Sequence, residues 1–250
     1  MPTPFNHLLI AHELLASPLL AGPVREALAA AQPAFLLGNI APDVQTISGQ
    51  TREATHFFPV PIGDAPLAHV KLFAEYPALA RAAQLPSAQA VFLAGYLAHL
   101  ALDYLWVTEI FAPIFGPDQT WETFRERLYL HNVLRAHWDA RDLTALPNST
   151  AGLLRAAAPG RWLPFVTDPH LRTWRDRVAE QLSGGASRTV EVFAERLDAD
   201  PQAFAALLAS PDEMQRRVFA RIPAERLDAF RALGLAHSAQ IIHAYWEGRL

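Results

Sequence analysis

The chain has 250 residues, 51% of them apolar and 18% charged, with a formal net charge of −4. That length and apolar content fit one sizeable core, or at most two closely packed subdomains, and exclude disorder as the expectation. The slightly acidic balance leaves no basic surplus for duplex nucleic acid, and the lack of cysteine excludes disulfides, thiolate metal sites and thiol nucleophiles together. Any metal therefore has to be held by imidazole and carboxylate.

In chain order, apolar positions at helical spacing predict a helix over residues 5–15, stopped by Ser17-Pro18. Pro23 then opens a short helix to residue 30, since proline is tolerated where the amide is unpaired anyway. The run 8–20 is apolar, but no basic residue precedes it, Glu13 interrupts it and the first arginine is Arg25, so it does not read as a signal peptide. Between residues 38 and 63, Gly38, Pro42, Gly49, Pro59, Pro61 and Gly63 break periodicity, and a long loop is expected there. Helices resume from residue 65, with breaks at Pro77 and Pro86, and a long buried helix spans residues 87 to about 107. Its stretch 90–107 has the length to cross a bilayer, but Asp103 at that depth costs about 2.5–3.5 kcal/mol. A buried helix of a soluble, cytoplasmic protein without a transmembrane segment is the expectation.

A further amphipathic helix is predicted over residues 118–142. Beyond Pro147 come five or so shorter helices separated by Pro159, Pro164, Pro169, Gly184-Gly185, Pro201, Pro211 and Pro223. Ala and Leu outnumber Val, Ile and Thr, which favours helix throughout. The fold class is thus all-α, divided near residues 143–149 into a metal-binding helical part, 1–146, and a helical extension, 147–250, packed on it.

The pair His99 and Asp103 carries the clearest chemistry. Four residues advance an α-helix by about 400°, so both side chains leave nearly the same face and can bind one ion. Their surroundings, Gly95-Tyr-Leu-Ala-His99-Leu-Ala-Leu-Asp103-Tyr, are apolar enough to make an unpaired carboxylate expensive to bury. A metal or an arginine would resolve that cost. Upstream, Asp43 ends the tight turn Gly38-Asn39-Ile40-Ala41-Pro42-Asp43, His56 follows in Thr55-His56-Phe57, and His7 lies near the start of the first helix. Phe57, Phe58, Tyr96 and Trp106 flank these residues.

The order His7, then Asp43 in Gly-Asn-Ile-Ala-Pro-Asp, His56 in Thr-His-Phe, and Gly-Tyr-Leu-x-His-x-x-x-Asp ending at Asp103 resembles the zinc-dependent phospholipase C family and its relatives, the fungal single-strand-specific nucleases. The resemblance covers about residues 3–106. It implies a multi-helical phospholipase C/nuclease-like bundle with a buried metal site of two or three zinc ions, other first-row divalent metals being able to take their place, used to hydrolyse phosphate esters. By it, Asp43, His56, His99 and Asp103 hold one ion, and Asp103 bridges to a second that also takes His7. For a third ion the family pattern expects a histidine where this chain has Glu109, then a histidine followed four residues later by a carboxylate. His131 and His137 are the candidates, but Arg135 and Arg141 stand four further on. Either Glu109 and His131 form a rearranged site, or that ion is absent and an arginine replaces its charge. The second is favoured, because Arg135 suits bidentate binding of a substrate phosphate.

The expected function is a metal-dependent phosphoric ester hydrolase, phospholipase C-like, acting on a small-molecule or lipid phosphodiester or phosphomonoester. Asp43 would orient or deprotonate the attacking water, and Phe57 and Tyr96 would pack against the substrate. The alternative is a non-catalytic metal-binding helical domain with a degenerate site.

Overall fold

Residues 1–184 and 188–250 are described by a computed structural model, and among them every regular element is helical. Helix α1 (Pro4–Ala16) places its proline in the first turn and ends at Ser17, whose extended backbone is what the following proline requires. Helices α2 (Gly22–Ala30) and α3 (Gln32–Ile40) follow, each with proline in its first turn.

The segment predicted as a long loop is instead a chain of short helical turns. A 3₁₀ turn (Ala41–Val44) leads into α4 (Gln45–Ser48) and α5 (Glu53–His56). Pro42 sits at the start of the 3₁₀ turn, where no amide is needed. Gly49, at φ 75°, stops α4 in the left-handed region. The breakers punctuate the segment without unwinding it, because Ala41, Val44, Phe57 and Phe58 bury themselves and hold the turns together.

Next come α6 (Ala68–Glu75) and the long α7 (Ser87–Leu105), which widens into a π-helical turn (Trp106–Phe111) before α8 (Ala112–Phe115). The combined stretch Ser87–Phe115 has the length and hydropathy of a membrane span, yet 89% of its most apolar window is buried inside the protein. Helix α9 (Phe124–Ala145) starts later than predicted, because Thr123 caps it by accepting from Glu126 N at 3.0 Å. Helices α10 (Thr150–Ala156), α11 (Asp168–Gly184), α12 (Thr189–Leu197), α13 (Pro201–Ala209), α14 (Pro211–Met214) and α15 (Ala224–Trp246) complete the bundle. Of the expected Gly184-Gly185 break, Gly185 lies outside the described residues.

The interior is shaped by how the helices cross. Helices α3 and α7 approach so closely that a Cβ on Gly38 would lie 2.0 Å from the Phe92 carbonyl oxygen, and one on Gly95 would lie 2.3 Å from that of Phe35. Only glycine permits this contact. Residues beyond 147 brace the same region. Trp174 of α11 donates its indole N–H to the Ile40 carbonyl at 2.8 Å, and α15 lies along α7. Between α1 and α9, Asn6 donates to Asp142 at 2.7 Å.

Candidate metal centre

Helices α1, α5 and α7 and the 3₁₀ turn direct five polar side chains into one small volume. His99 and Asp103, one turn apart on α7, place Nε2 and Oδ2 3.7 Å apart. His7 Nε2 lies 3.4 Å from Asp103 Oδ1, and His56 Nε2 lies 3.3 Å from Asp103 Oδ2 and 3.6 Å from Asp43 Oδ1. The rings of His7 and His99 stack at 3.7 Å with 10° between their planes. Possible ligand atoms fall into two groups that share His99: His7, His99 and Asp103, and Asp43, His56 and His99. All are buried except Asp43, whose side chain is 20% exposed at the edge of the cluster.

The outer hydrogen bonds decide where the imidazole protons sit. His99 Nδ1 is 2.8 Å from the Asn39 carbonyl oxygen, which can only accept, so Nδ1 carries the proton and Nε2 keeps its lone pair. The Gly38–Gly95 crossing brings that carbonyl within reach. His56 Nδ1 likewise faces the Arg52 carbonyl at 3.3 Å and the Thr55 hydroxyl at 3.0 Å. Its Nε2 then points at His99 Nε2, 3.3 Å away. Two lone pairs at that separation, in a buried site, repel unless a cation or proton lies between them.

Further in, neither ring nitrogen of His7 nor Oδ1 of Asp103 has a hydrogen-bond partner. Buried polar atoms without partners cost about 1–3 kcal/mol each. Three imidazoles and two carboxylates facing one another with unused lone pairs form a donor set that a divalent first-row ion satisfies. Buried polar partners behind the ligands, here Asn39 and Arg52, are what metal-ligating histidines ordinarily have.

The electrostatics follow from the same packing. Burial, with the neighbouring His7, pushes His99 down to about 3, so its imidazole is neutral at ordinary pH. Burial alone would raise Asp103, but His99, His56 and His7 around it hold its carboxyl well below the usual carboxylate range. For His56, burial lowers the pKa, and hydrogen bonding to Asp103 and Asp43 outweighs it and leaves the ring raised. The cluster thus favours positive charge at His56 Nε2.

The remaining sequence candidates lie elsewhere. Glu109 sits on the π-helical turn with its side chain exposed, and its carbonyl accepts from Arg226 at 2.7 and 3.0 Å. His131 is buried, but its Nε2 accepts from the Trp106 indole at 3.1 Å and its ring packs among Phe111 and Phe115. His137 packs edge-on against Phe219. None of these joins either ligand group. Phe57 and Tyr96 face the core: Phe57 meets Phe165 and Tyr76 edge to face, and the Tyr96 hydroxyl donates to the Thr55 carbonyl behind His56. Phe57 also has φ 62°, a left-handed conformation unusual outside glycine, which ends α5 directly after His56. Arg135 stays near the cluster, with its Nε donating to the Met1 carbonyl and its NH1 donating to Asn132 at 2.8 Å. Burial takes its pKa down to about 10, so it is charged at neutral pH.

Sequence reasoning missed Arg52. Its NH2 lies 3.1 Å from Asp103 Oδ2, its NH1 donates to the Phe58 carbonyl at 3.0 Å, and its guanidinium covers the Phe58 ring at 4.5 Å. It stands four residues before His56, so the helical turn puts both on one face.

Residues 6–106 match the family model described as zinc dependent phospholipase C. The matched segment contains His7, Asp43, His56, His99 and Asp103, whereas Glu109, His131 and Arg135 lie beyond it. No curated protein and no solved structure matches the chain.

Proposed function

We propose, from the match of residues 6–106 to the zinc-dependent phospholipase C family model, that the protein is a zinc-dependent phosphoric ester hydrolase. The observation that carries this reading is the convergence of three buried imidazoles on Asp103 and Asp43, with the His7 ring nitrogens and Asp103 Oδ1 left without partners.

Asp43, His56, His99 and Asp103 would hold one ion and His7 with Asp103 a second, which would supply Lewis-acid polarisation of a phosphoryl oxygen and a more acidic water. The chain's own residues do the rest. Asn39 and Arg52 fix the two imidazole tautomers through their carbonyl oxygens. Asp43 has the one partly exposed carboxylate of the cluster, which suits it to accept a proton from the attacking water. Arg135, charged and half-buried beside the cluster, holds a phosphate oxygen. The family points to a lipid phosphate ester as the substrate class.

The rival reading, a non-catalytic metal-binding domain, draws on the placement of Glu109 and His131 outside the ligand groups. Elemental analysis of Asp103→Asn, with turnover of chromogenic phosphodiesters and phosphomonoesters compared between wild type and His56→Ala, separates the two. Loss of both metal and turnover in Asp103→Asn supports the hydrolase. Full metal content in that variant sinks the bridging role, and equal background turnover in wild type and His56→Ala favours the rival.

A further inference from the structure

Arg52 is anchored against the cluster, by Asp103, the Phe58 carbonyl and the Phe58 ring, with donors left over. Its side chain is 17% exposed, its guanidinium face is fixed on Phe58, and one NH group is committed to Asp103. Its Nε–H is buried without a partner. A second contact of NH2, 2.9 Å long, goes to the Met1 thioether, a weak acceptor that a phosphoryl oxygen displaces at little cost. Arg135 donates to the Met1 carbonyl, so both guanidinium groups contact one residue. An arginine has five donors in a planar fork, and Arg52 has committed only part of that fork.

With its imidazoles neutral, as they must be to ligate an ion, the cluster's carboxylates and the arginines beside it balance in charge. Asp43 and Asp103 are matched by Arg52 and Arg135, and the next neighbours of Arg135 are Arg196 and Asp139, one of each sign. Each divalent ion then adds positive charge that the protein's carboxylates do not cancel. Uncompensated charge in a buried site is costly. A phosphomonoester carries about −1.5 to −2 charge at pH 7, whereas the phosphorus of a diester carries a single negative charge.

We infer that Arg52 is a phosphate-binding residue, forming with Arg135 a two-arginine clamp over the His/Asp cluster, and that the site selects phosphomonoester dianions over phosphodiesters. The inference rests on the hydrolase reading and narrows its substrate class.

The test uses the zinc-reconstituted full chain, with inorganic phosphate and dimethyl phosphate titrated by calorimetry into wild type, Arg52→Gln and Arg52→Lys. Elemental analysis runs in parallel. Wild type is expected to bind phosphate about tenfold or more tighter than dimethyl phosphate, because a dianion engages both forks. Arg52→Gln should erase most of that preference by weakening phosphate far more than dimethyl phosphate, and Arg52→Lys should fall between. An unchanged preference in Arg52→Gln overturns the inference. So does equal weakening of both ligands together with metal loss, which would mean that Arg52 acts only through Asp103. Should Arg52→Gln fail to fold, Arg52→Lys decides, since it keeps the charge but not the fork: a reduced preference supports the clamp and an intact one removes it. A wild type that holds metal and hydrolyses diesters while Arg52→Gln keeps its phosphate affinity defeats the clamp alone. A wild type that holds no metal defeats the hydrolase reading and the clamp with it.

Discussion

Replacing Gly95 by alanine tests whether the α3–α7 crossing builds the metal centre. The added Cβ would stand 2.3 Å from the Phe35 carbonyl oxygen, 2.9 Å from Asn39 Nδ2 and 3.0 Å from Asn39 N. Two of these are backbone atoms, so no side chain can swing aside. Restoring even a 3.0 Å contact with Phe35 forces the helices apart by about 0.7 Å, the difference from 2.3 Å. Overpacking of this kind costs about 1–3 kcal/mol, and more when backbone has to move. Helix propensity returns only about 0.5–1 kcal/mol. A net loss of about 2 kcal/mol lowers Tm by roughly 4–8 °C in a chain of this size. The same displacement stretches the 2.8 Å contact from His99 Nδ1 to the Asn39 carbonyl to the edge of hydrogen-bonding range, and losing such an outer partner weakens metal affinity by about 10–100-fold. Thermal unfolding with chelator and zinc titration afterwards read the two effects separately. Gly152→Ala is the control, because nothing lies within 4 Å of its added Cβ and it should be neutral or slightly stabilising. A Gly95→Ala protein melting within a degree of wild type, with unchanged zinc affinity, would refute the reasoning.

His131→Gln should leave metal content unchanged while destabilising the fold, because His131 serves as acceptor for the Trp106 indole; a loss of one ion by elemental analysis would restore His131 as a ligand. The metal-free protein should also lose stability in mild acid. Burial holds His99 at about 3 and His131 well below the ordinary 6.5. Both folded pKa values are depressed, so the unfolded chain takes up two protons that the fold refuses, and the stability they contribute is present above pH 6.5 and lost as pH falls. The slope is about 1.4 kcal/mol per pH unit for each histidine, roughly 2.7 together. His56 has the opposite sign, since its raised pKa contributes stability below 6.5 that is lost at higher pH. It adds no slope in acid. Urea midpoints of chelator-treated protein between pH 6 and 5 measure this, and a flat profile would show that these imidazoles are not held neutral by burial.

What the sequence makes legible is local. The i, i+4 spacing of His99 and Asp103 and the wording around Asp43 and His56 survive as a cluster, because each depends on a few adjacent residues and one helix face. The dominance of helix is equally local, following from Ala and Leu content and proline placement. Contacts that depend on how helices cross are not legible. Asn39 lies 60 residues from His99, and only the paired glycines let its carbonyl reach the ring. Glu109 lies apart from the two ligand groups for a geometric reason: six residues past Asp103 is about 600° of α-helix, roughly 120° off its face, and the π-helical turn begins at Trp106. Phe57 and Tyr96 flank polar residues in sequence, which suggests substrate contacts, but flanking does not distinguish a ring lining an opening from one packed behind it.

Arg52 is hidden wherever residues 38–63 are read as a loop. Glycine and proline there signal breaks, but a broken segment need not be irregular. The apolar residues between the breaks, Val44, Ile47, Phe57 and Phe58, are the contrary signal, since a solvated loop has no use for them. Reading residues 53–56 as a helical turn puts Arg52 and His56 on one face, four apart, as His99 and Asp103 are. The two pairs then meet: Arg52 and His56 both reach Asp103 Oδ2, at 3.1 and 3.3 Å. A carboxylate shared between an imidazole and a guanidinium is held in one orientation from two sides. That is why a single turn of helix, too short to be stable alone, is enough to place a charged residue over the centre.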